Sequence, residues 1–347
     1  MPIYLSFYSV LFMLTLFSIR RHKVRVVYLL VALSVICLAA FRGNGFDWDS
    51  YNNIYKSIRA GHTTEGDAFV EYGFEFLCRI SPSYSFLIFI VAVISLVATF
   101  CGTYKFSRHF YPVLGLVIFS ATLLLPTYLG QIRQGIAIGF VTIAVWQNYM
   151  NHKKIAFCWI VIACLFHISA LLSVLIFLVP KRDFSLKIYF LLLVGALLFY
   201  GLSMVLMSKF LTLTQLGIVQ KLIFYATTEK EELGVSSTIL IRIATLVITV
   251  VLNENRNVEI SYIQKIYLLG ILIYMLFGFI PQLGGRGALY FSVYEMVLVP
   301  YIVYHFRRRH FIFLTAFFAV LGLSIFRIVS FFYDSFNYQS YVPYLLN

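Results

Sequence analysis

Most of this chain is apolar, so its few groups able to do chemistry stand out. RGNGFDWDSYNNIY, residues 42–55, puts Arg42, Asp47, Asp49 and Tyr51 directly after an apolar run, and Arg133 and Gln134 open another. His167 in FHISALL, Arg242 in ILIRI, Arg286 and Tyr290 in GGRGALY, Glu295 and Arg327 each lie in or beside apolar runs. A guanidinium binds phosphate oxygens in pairs and keeps its charge at any physiological pH, so Arg42, Arg133, Arg242, Arg286 and Arg327 are candidate diphosphate ligands. Asp47 or His167 is the candidate general base for a hydroxyl. Asp49, Tyr51, Gln134 and Tyr290 are candidate sugar contacts, with Trp48, Tyr55 and Tyr128 as further rings for stacking.

Each group also has a plainer role. An interfacial arginine snorkels to headgroups, a loop aspartate is solvated, a histidine in an apolar run hydrogen-bonds locally, and Trp and Tyr belt every membrane interface. Five arginines at the ends of runs on the face that the positive-inside rule depletes argue instead for a shared cationic cavity. In PQLGGRG the glycines are either a turn or a source of backbone N–H groups for an anion at a helix start. Glu295, read as mid-span, is costly without a partner, and a structural pair with an arginine is the expectation.

The elements that hold these groups follow from composition. Of 347 residues, 61% are hydrophobic and 12% charged, the signature of an all-α polytopic integral membrane protein. About 20 apolar residues cross a bilayer, and on that scale about ten full spans are expected, near 3–19, 25–41, 84–103, 112–129, 132–150, 187–207, 237–252, 262–280, 287–305 and 311–331. The first run lacks a basic leader and a small-residue cleavage site, so it reads as a retained span rather than a signal peptide. The net charge of +13 is no nucleic-acid patch, because it collects in alternate short connections. Arg20, Arg21, Lys23 and Arg25, then Lys105 and Arg108, Lys153 and Lys154, Lys181, Arg182 and Lys187, Arg256 and Lys265, and Arg307, Arg308 and Arg309 mark one face as cytoplasmic. With that assignment both termini face out. The five cysteines form no disulfide or metal pattern.

The run 155–180 has basic residues at both ends, which favours a re-entrant hairpin of two short helices with His167 near its apex over a single span. Residues 42–83 form an extracytoplasmic loop containing an interfacial helix. There Phe69, Gly73, Phe76, Leu77 and Ile80 are expected on one face, with Glu71, Glu75 and Arg79 on the other. A second extracytoplasmic loop is expected over 208–236, with Leu213, Leu216, Val219 and Leu222 on one side. The whole of 1–347 reads as a single transmembrane domain. No Walker A or dinucleotide fingerprint is present, so a substrate handled outside arrives already activated.

Arg42, Gly45, Asp47, Tyr51 and Tyr55 resemble the R-x-x-G-x-D-x-x-x-Y-x-x-x-aromatic motif of the EpsG family, which includes Wzy-type O-antigen and exopolysaccharide polymerases. EYGFEFL at 71–77 resembles the family's E-x-G-aromatic stretch, with Tyr72 in place of the usual proline. Arg133 and Gln134, His167, and Arg286 with Tyr290 are similar to later landmarks in the same order. The resemblance implies a GT-C-like glycosyltransferase in the bacterial inner membrane, with its site facing the periplasm. It implies transfer of a glycan from one undecaprenyl diphosphate to a lipid-linked repeat unit, with no cofactor or metal. The implied partners are the undecaprenyl-diphosphate-linked oligosaccharide, membrane lipids and a chain-length regulator, and no nucleic acid. A lipid-linked oligosaccharide flippase or other transporter, and an O-antigen ligase, are the alternative functions. A membrane acyltransferase fits the short cytoplasmic loops poorly.

Overall fold

A backbone in hydrocarbon must satisfy its own N–H and C=O groups, and long runs of Leu, Ile, Val and Phe do so as helices. The computed structural model describes residues 2–19, 24–61, 70–210, 237–253, 257–277 and 281–342, and their regular structure is helical with no strand. The helices are α1 (Pro2–Ser18), α2 (Val24–Ala40), α3 (Trp48–Arg59), α4 (Tyr72–Ile80), α5 (Tyr84–Ser107), α6 (Pro112–Phe119), α7 (Ile132–Tyr149), α8 (Lys153–Cys164), α9 (Leu186–Phe210), α10 (Ser237–Leu252), α11 (Val258–Leu276), α12 (Pro281–Ser292), α13 (Glu295–His305), α14 (His310–Tyr333) and α15 (Ser335–Tyr341). Among the described residues four helices are long and apolar enough to cross a membrane: α5, α6 with its continuation to Gly130, α11 and α14. A fifth is added if the pair Gly284–Ser292 and Glu295–His305, bent by 47°, is one span. Shorter apolar helices include α1, α2 and α10. The chain is thus a helical membrane-embedded protein. The expected second loop lies outside the described residues beyond the end of α9, as do Arg20, Arg21, Lys23, Arg256 and Phe69.

Local chemistry sets several boundaries. The Ser83 hydroxyl accepts the Phe86 N–H and starts α5; Asn257 accepts from Ile260 and starts α11. Pro126 lacks an N–H, and the stretch Ser120–Gly130 that contains it winds as a π-helix.

The chain divides into two compact units, 1–171 with 299–347, and 172–298. In the first, α5 and α7 lie parallel, because partner positions rise together along both. A Cβ on Gly139 would lie 2.7 Å from Ser95 O, the Thr142 hydroxyl donates to Ala98 O (3.2 Å), and Lys105 lies over the Trp146 ring. Small residues permit this approach, as membrane helix pairs require. α2 runs antiparallel to α5, pairing Phe41 with Phe89 at one end and Tyr28 with Tyr104 at the other. Phe140 of α7 stacks on Trp159 of α8, which runs back from Lys153 and Lys154. The basic residues Arg25, Lys105, Lys153 and Lys154 therefore collect at one end of this unit, and residues 42–61 and 70–84 lie toward the other.

In the second unit α11 packs against α9, α10 and α12. A Cβ on Gly270 would meet Phe291 Cβ at 2.8 Å, and one on Gly287 would meet Leu172 Cδ1 at 2.6 Å.

Three expectations need correction. The span expected over 287–305 is not continuous: α12 ends at Ser292 and α13 begins at Glu295. Glu295 is therefore a first-turn residue at a break, buried, where the helix dipole favours a carboxylate. The glycines of PQLGGRG lie inside α12 rather than in a loop before it, so N–H groups beyond its first turn belong to the helix ladder and not to an anion-binding turn.

Candidate active site

Three groups far apart in sequence meet at the end of the first unit opposite Arg25, Lys105, Lys153 and Lys154. Arg133 Nη1 donates to Glu71 Oε2 at 2.6 Å, and His167 Nδ1 lies 3.0 Å from Glu71 Oε1. Glu71 is 5% exposed, and the side chains of Arg133 and His167 are 22% and 15% exposed. Arg133 also hydrogen-bonds Tyr51 and lies 5.7 Å from that ring's centre. Tyr51 in turn packs edge-on against Phe74.

Each partner is delivered by a different element. Arg133 occupies the first turn of α7, where a cation opposes the helix dipole, so its placement owes more to the carboxylate it meets than to the helix. Glu71 precedes α4 in extended conformation. Immediately after it the Gly73 N–H donates to Leu165 O at 2.7 Å, and a Cβ on Gly73 would lie 2.7 Å from that same oxygen. Only a residue without a side chain lets the two backbones approach so closely. Leu165 follows the end of α8, and His167 sits between α8 and a 3₁₀ helix over Ile168–Leu178.

Burial alone pushes the Glu71 carboxyl up, yet the hydrogen bond with His167 and the Arg133 charge reverse this and hold it below its ordinary 4.5. An ionised carboxylate only accepts, so His167 Nδ1 carries the proton, and in the neutral ring the lone pair is then on Nε2. That is the tautomer a general base facing away from Glu71 requires. Burial pushes the nearby Cys78 thiol up to about 12, which removes it as a nucleophile near neutrality.

A second polar group adjoins the first. Arg42 is 3% exposed, donates from Nη1 to Asn44 O (3.1 Å) and lies 5.7 Å from the Trp48 ring centre. A Cβ on Gly45 would fall on the Arg42 guanidinium, which explains the glycine in R-x-x-G. Asp47 precedes α3 without capping it. Arg42 and Asp47 both act electrostatically on Tyr341, whose hydroxyl donates to Leu125 O at 2.8 Å. Arg42, Tyr51 and Asp49 all act on Tyr84, which links the two groups.

The remaining candidates are placed as follows. Asp49 is exposed in the first turn of α3, where the dipole favours an acid. Gln134 is buried on α7. Tyr55 is buried and donates to Ser81 O, and Tyr128 is buried with its hydroxyl 2.6 Å from Thr99, so both serve packing rather than an open stacking surface. Arg327 is half-buried on α14. Arg242, Arg286 and the fully buried Tyr290 belong to the second unit.

Glu71 is the residue that spacing misassigns. Its i, i+4 relation to Glu75 and Arg79 suggests a shared solvent face, but only Glu75 and Arg79 pair there, at 2.6 Å. α4 buries Phe74, Leu77 and Cys78 and exposes Tyr72, Phe76 and Ile80, correcting the face expected from Gly73, Phe76, Leu77 and Ile80. The exposed apolar stripe fits a helix lying at a membrane interface. The signal available for Glu71 was its place in E-x-G, whose glycine reports a close backbone contact.

The EpsG family model matches residues 25–346 of the chain. No curated protein and no solved structure matches it.

Proposed function

This chain belongs to the EpsG family, and from that premise we propose that it is a polysaccharide polymerase of the Wzy, O-antigen type. It transfers a growing glycan from one undecaprenyl diphosphate to the terminal sugar of a lipid-linked repeat unit. The setting is a bacterial inner membrane, with about ten spans in a GT-C-like arrangement, a re-entrant 155–180 segment and the site on the periplasmic face. The observation that carries the reading is the Glu71–Arg133–His167 network, a buried carboxylate holding a cation and an imidazole at the end of the first unit away from its basic connections.

In the proposed reaction His167 Nε2 takes the proton of the acceptor hydroxyl, whose oxygen forms the new bond to the donor's anomeric carbon. The bond from that carbon to the diphosphate oxygen breaks, and its electrons leave with undecaprenyl diphosphate. Arg133 and Arg42 stabilise that charge as it develops, with Arg327 of the same unit as a further diphosphate ligand. Asp47 is the alternative base, and Asp49, Tyr51 and Gln134 are the proposed sugar contacts. The test is purified protein reconstituted with a lipid-diphosphate-linked repeat unit, read as a ladder of products. His167→Gln and Arg133→Ala abolish the ladder at normal protein level; a full-length ladder from both removes the network from the chemistry.

A further inference from the structure

The first unit carries a second feature, at its basic end and independent of the network. α2 and α5 leave a groove of about 540 Å³ between them, within the size range of ligand sites. Its walls are apolar, formed by Leu29, Leu33, Ile36, Phe100 and Cys101 over a floor where Tyr28 and Tyr104 pack with ring centres 4.6 Å apart. Among the described residues its charged lining residues are Arg25, at the start of α2, and Lys105, at the end of α5, and the antiparallel packing brings both to the same mouth. Both are exposed, and neither is ion-paired with an acid among the described residues. From Arg25 to Ile36 the helix rises about 16 Å at ~1.5 Å per residue, close to half the ~30 Å hydrocarbon core.

We propose that this groove is a binding site for one anionic phospholipid of the leaflet at the basic end. The headgroup phosphate lies between Arg25 and Lys105, and one acyl chain runs along Leu29, Leu33 and Ile36. Charge complementarity selects the headgroup, since two cations at one mouth attract an anionic lipid over a zwitterionic one. Length selects the tail: the groove covers a single leaflet, whereas a long polyprenyl chain has no seat for most of its isoprene units.

The test is native mass spectrometry of the full chain released from nanodiscs of phosphatidylglycerol mixed equally with phosphatidylcholine, with a second set carrying polyprenyl phosphate. Wild type retains one phosphatidylglycerol in preference to phosphatidylcholine. Arg25→Gln and Lys105→Gln each reduce that preference about fivefold. Leu33→Trp, at a residue 57% exposed and so of little consequence for folding, fills the groove with both charges intact and also abolishes retention. Equal retention of the two phospholipids, unchanged retention in the charge variants, or displacement of phosphatidylglycerol by polyprenyl phosphate would each overturn the proposal.

Discussion

Two polar clusters, one in each unit, set a buried cation among backbone carbonyls in one case and beside a carboxylate and an imidazole in the other. In the second unit Lys265 is 3% exposed inside α11, not in a connection as its charge suggests. Its ammonium donates to Arg182 O at 2.9 Å and Lys181 O at 3.4 Å and lies over the Phe184 ring, while the Ser261 hydroxyl bonds Asp183. These partners come from α11 and the 181–184 turn that it fastens. In the first unit Glu71 joins residues 62 and 96 positions away, both of them side chains with partial exposure. Lys265 binds two carbonyls of one turn, which is a staple. Glu71 orients an imidazole and a guanidinium whose other edges can meet a ligand.

The largest expected effect comes from setting the clusters against each other. Glu71→Ala frees the ring of His167 and leaves Arg133 without its carboxylate, and turnover falls roughly 10²-fold or more. Lys265→Met removes the hydrogen bonds to Lys181 O and Arg182 O, costs on the order of 1–3 kcal/mol of stability, and leaves product length unchanged at matched protein level. Turnover per folded molecule and unfolding temperature, measured on both, separate the roles. Equal loss of turnover in the two variants would erase the contrast.

The clusters also differ in response to acid. Between its depressed folded value and the ordinary 4.5, Glu71 binds fewer protons in the folded chain than in the unfolded one, so stability rises with pH across that window and levels off above it. The share of the wild-type advantage over Glu71→Gln that comes from the Glu71 charge is therefore fully present above about 4.5 and shrinks below it. A difference that grows as the pH falls below about 4.5 contradicts an ionised Glu71.

Much of this was legible from local pattern. α10 covers 237–252 as its apolar run indicates. The interruption at residues 293–294 was not, because apolar residues on both sides disguise a change of direction as one span. Spacing rules report what lies on one helix; they paired Glu71 with Glu75 and Arg79 because they hold no information about a backbone contact from Gly73 to Leu165. The glycines of R-x-x-G and E-x-G were visible, but their reason, a guanidinium and a carbonyl lying where a Cβ would be, is a tertiary fact.

That tertiary contact supplies the next smaller effect. Gly73→Ala drives a methyl into Leu165 O and forces the start of α4 away from the end of α8, at a cost of about 1–3 kcal/mol and with weaker turnover, because Glu71 and His167 separate. Gly285→Ala meets nothing within 4 Å, so it leaves turnover unchanged and, inside α12, raises stability by about 0.5–1 kcal/mol. If Gly73→Ala lowers stability but not turnover, the close approach supports α4 alone and does not set the network.

The smallest effect isolates the ring under Arg133. Tyr51→Phe removes the hydroxyl that Arg133 bonds and keeps the aromatic face 5.7 Å from the guanidinium and the edge contact with Phe74. Losing one hydrogen bond to a charged group while Glu71 still holds Arg133 lowers turnover about tenfold or less. Tyr51→Leu also removes the π face and lowers it further. The order Tyr, Phe, Leu in turnover at constant expression is what a positioned guanidinium requires. Phe and Leu acting alike would mean that the ring is packing only and that Glu71 alone aims Arg133.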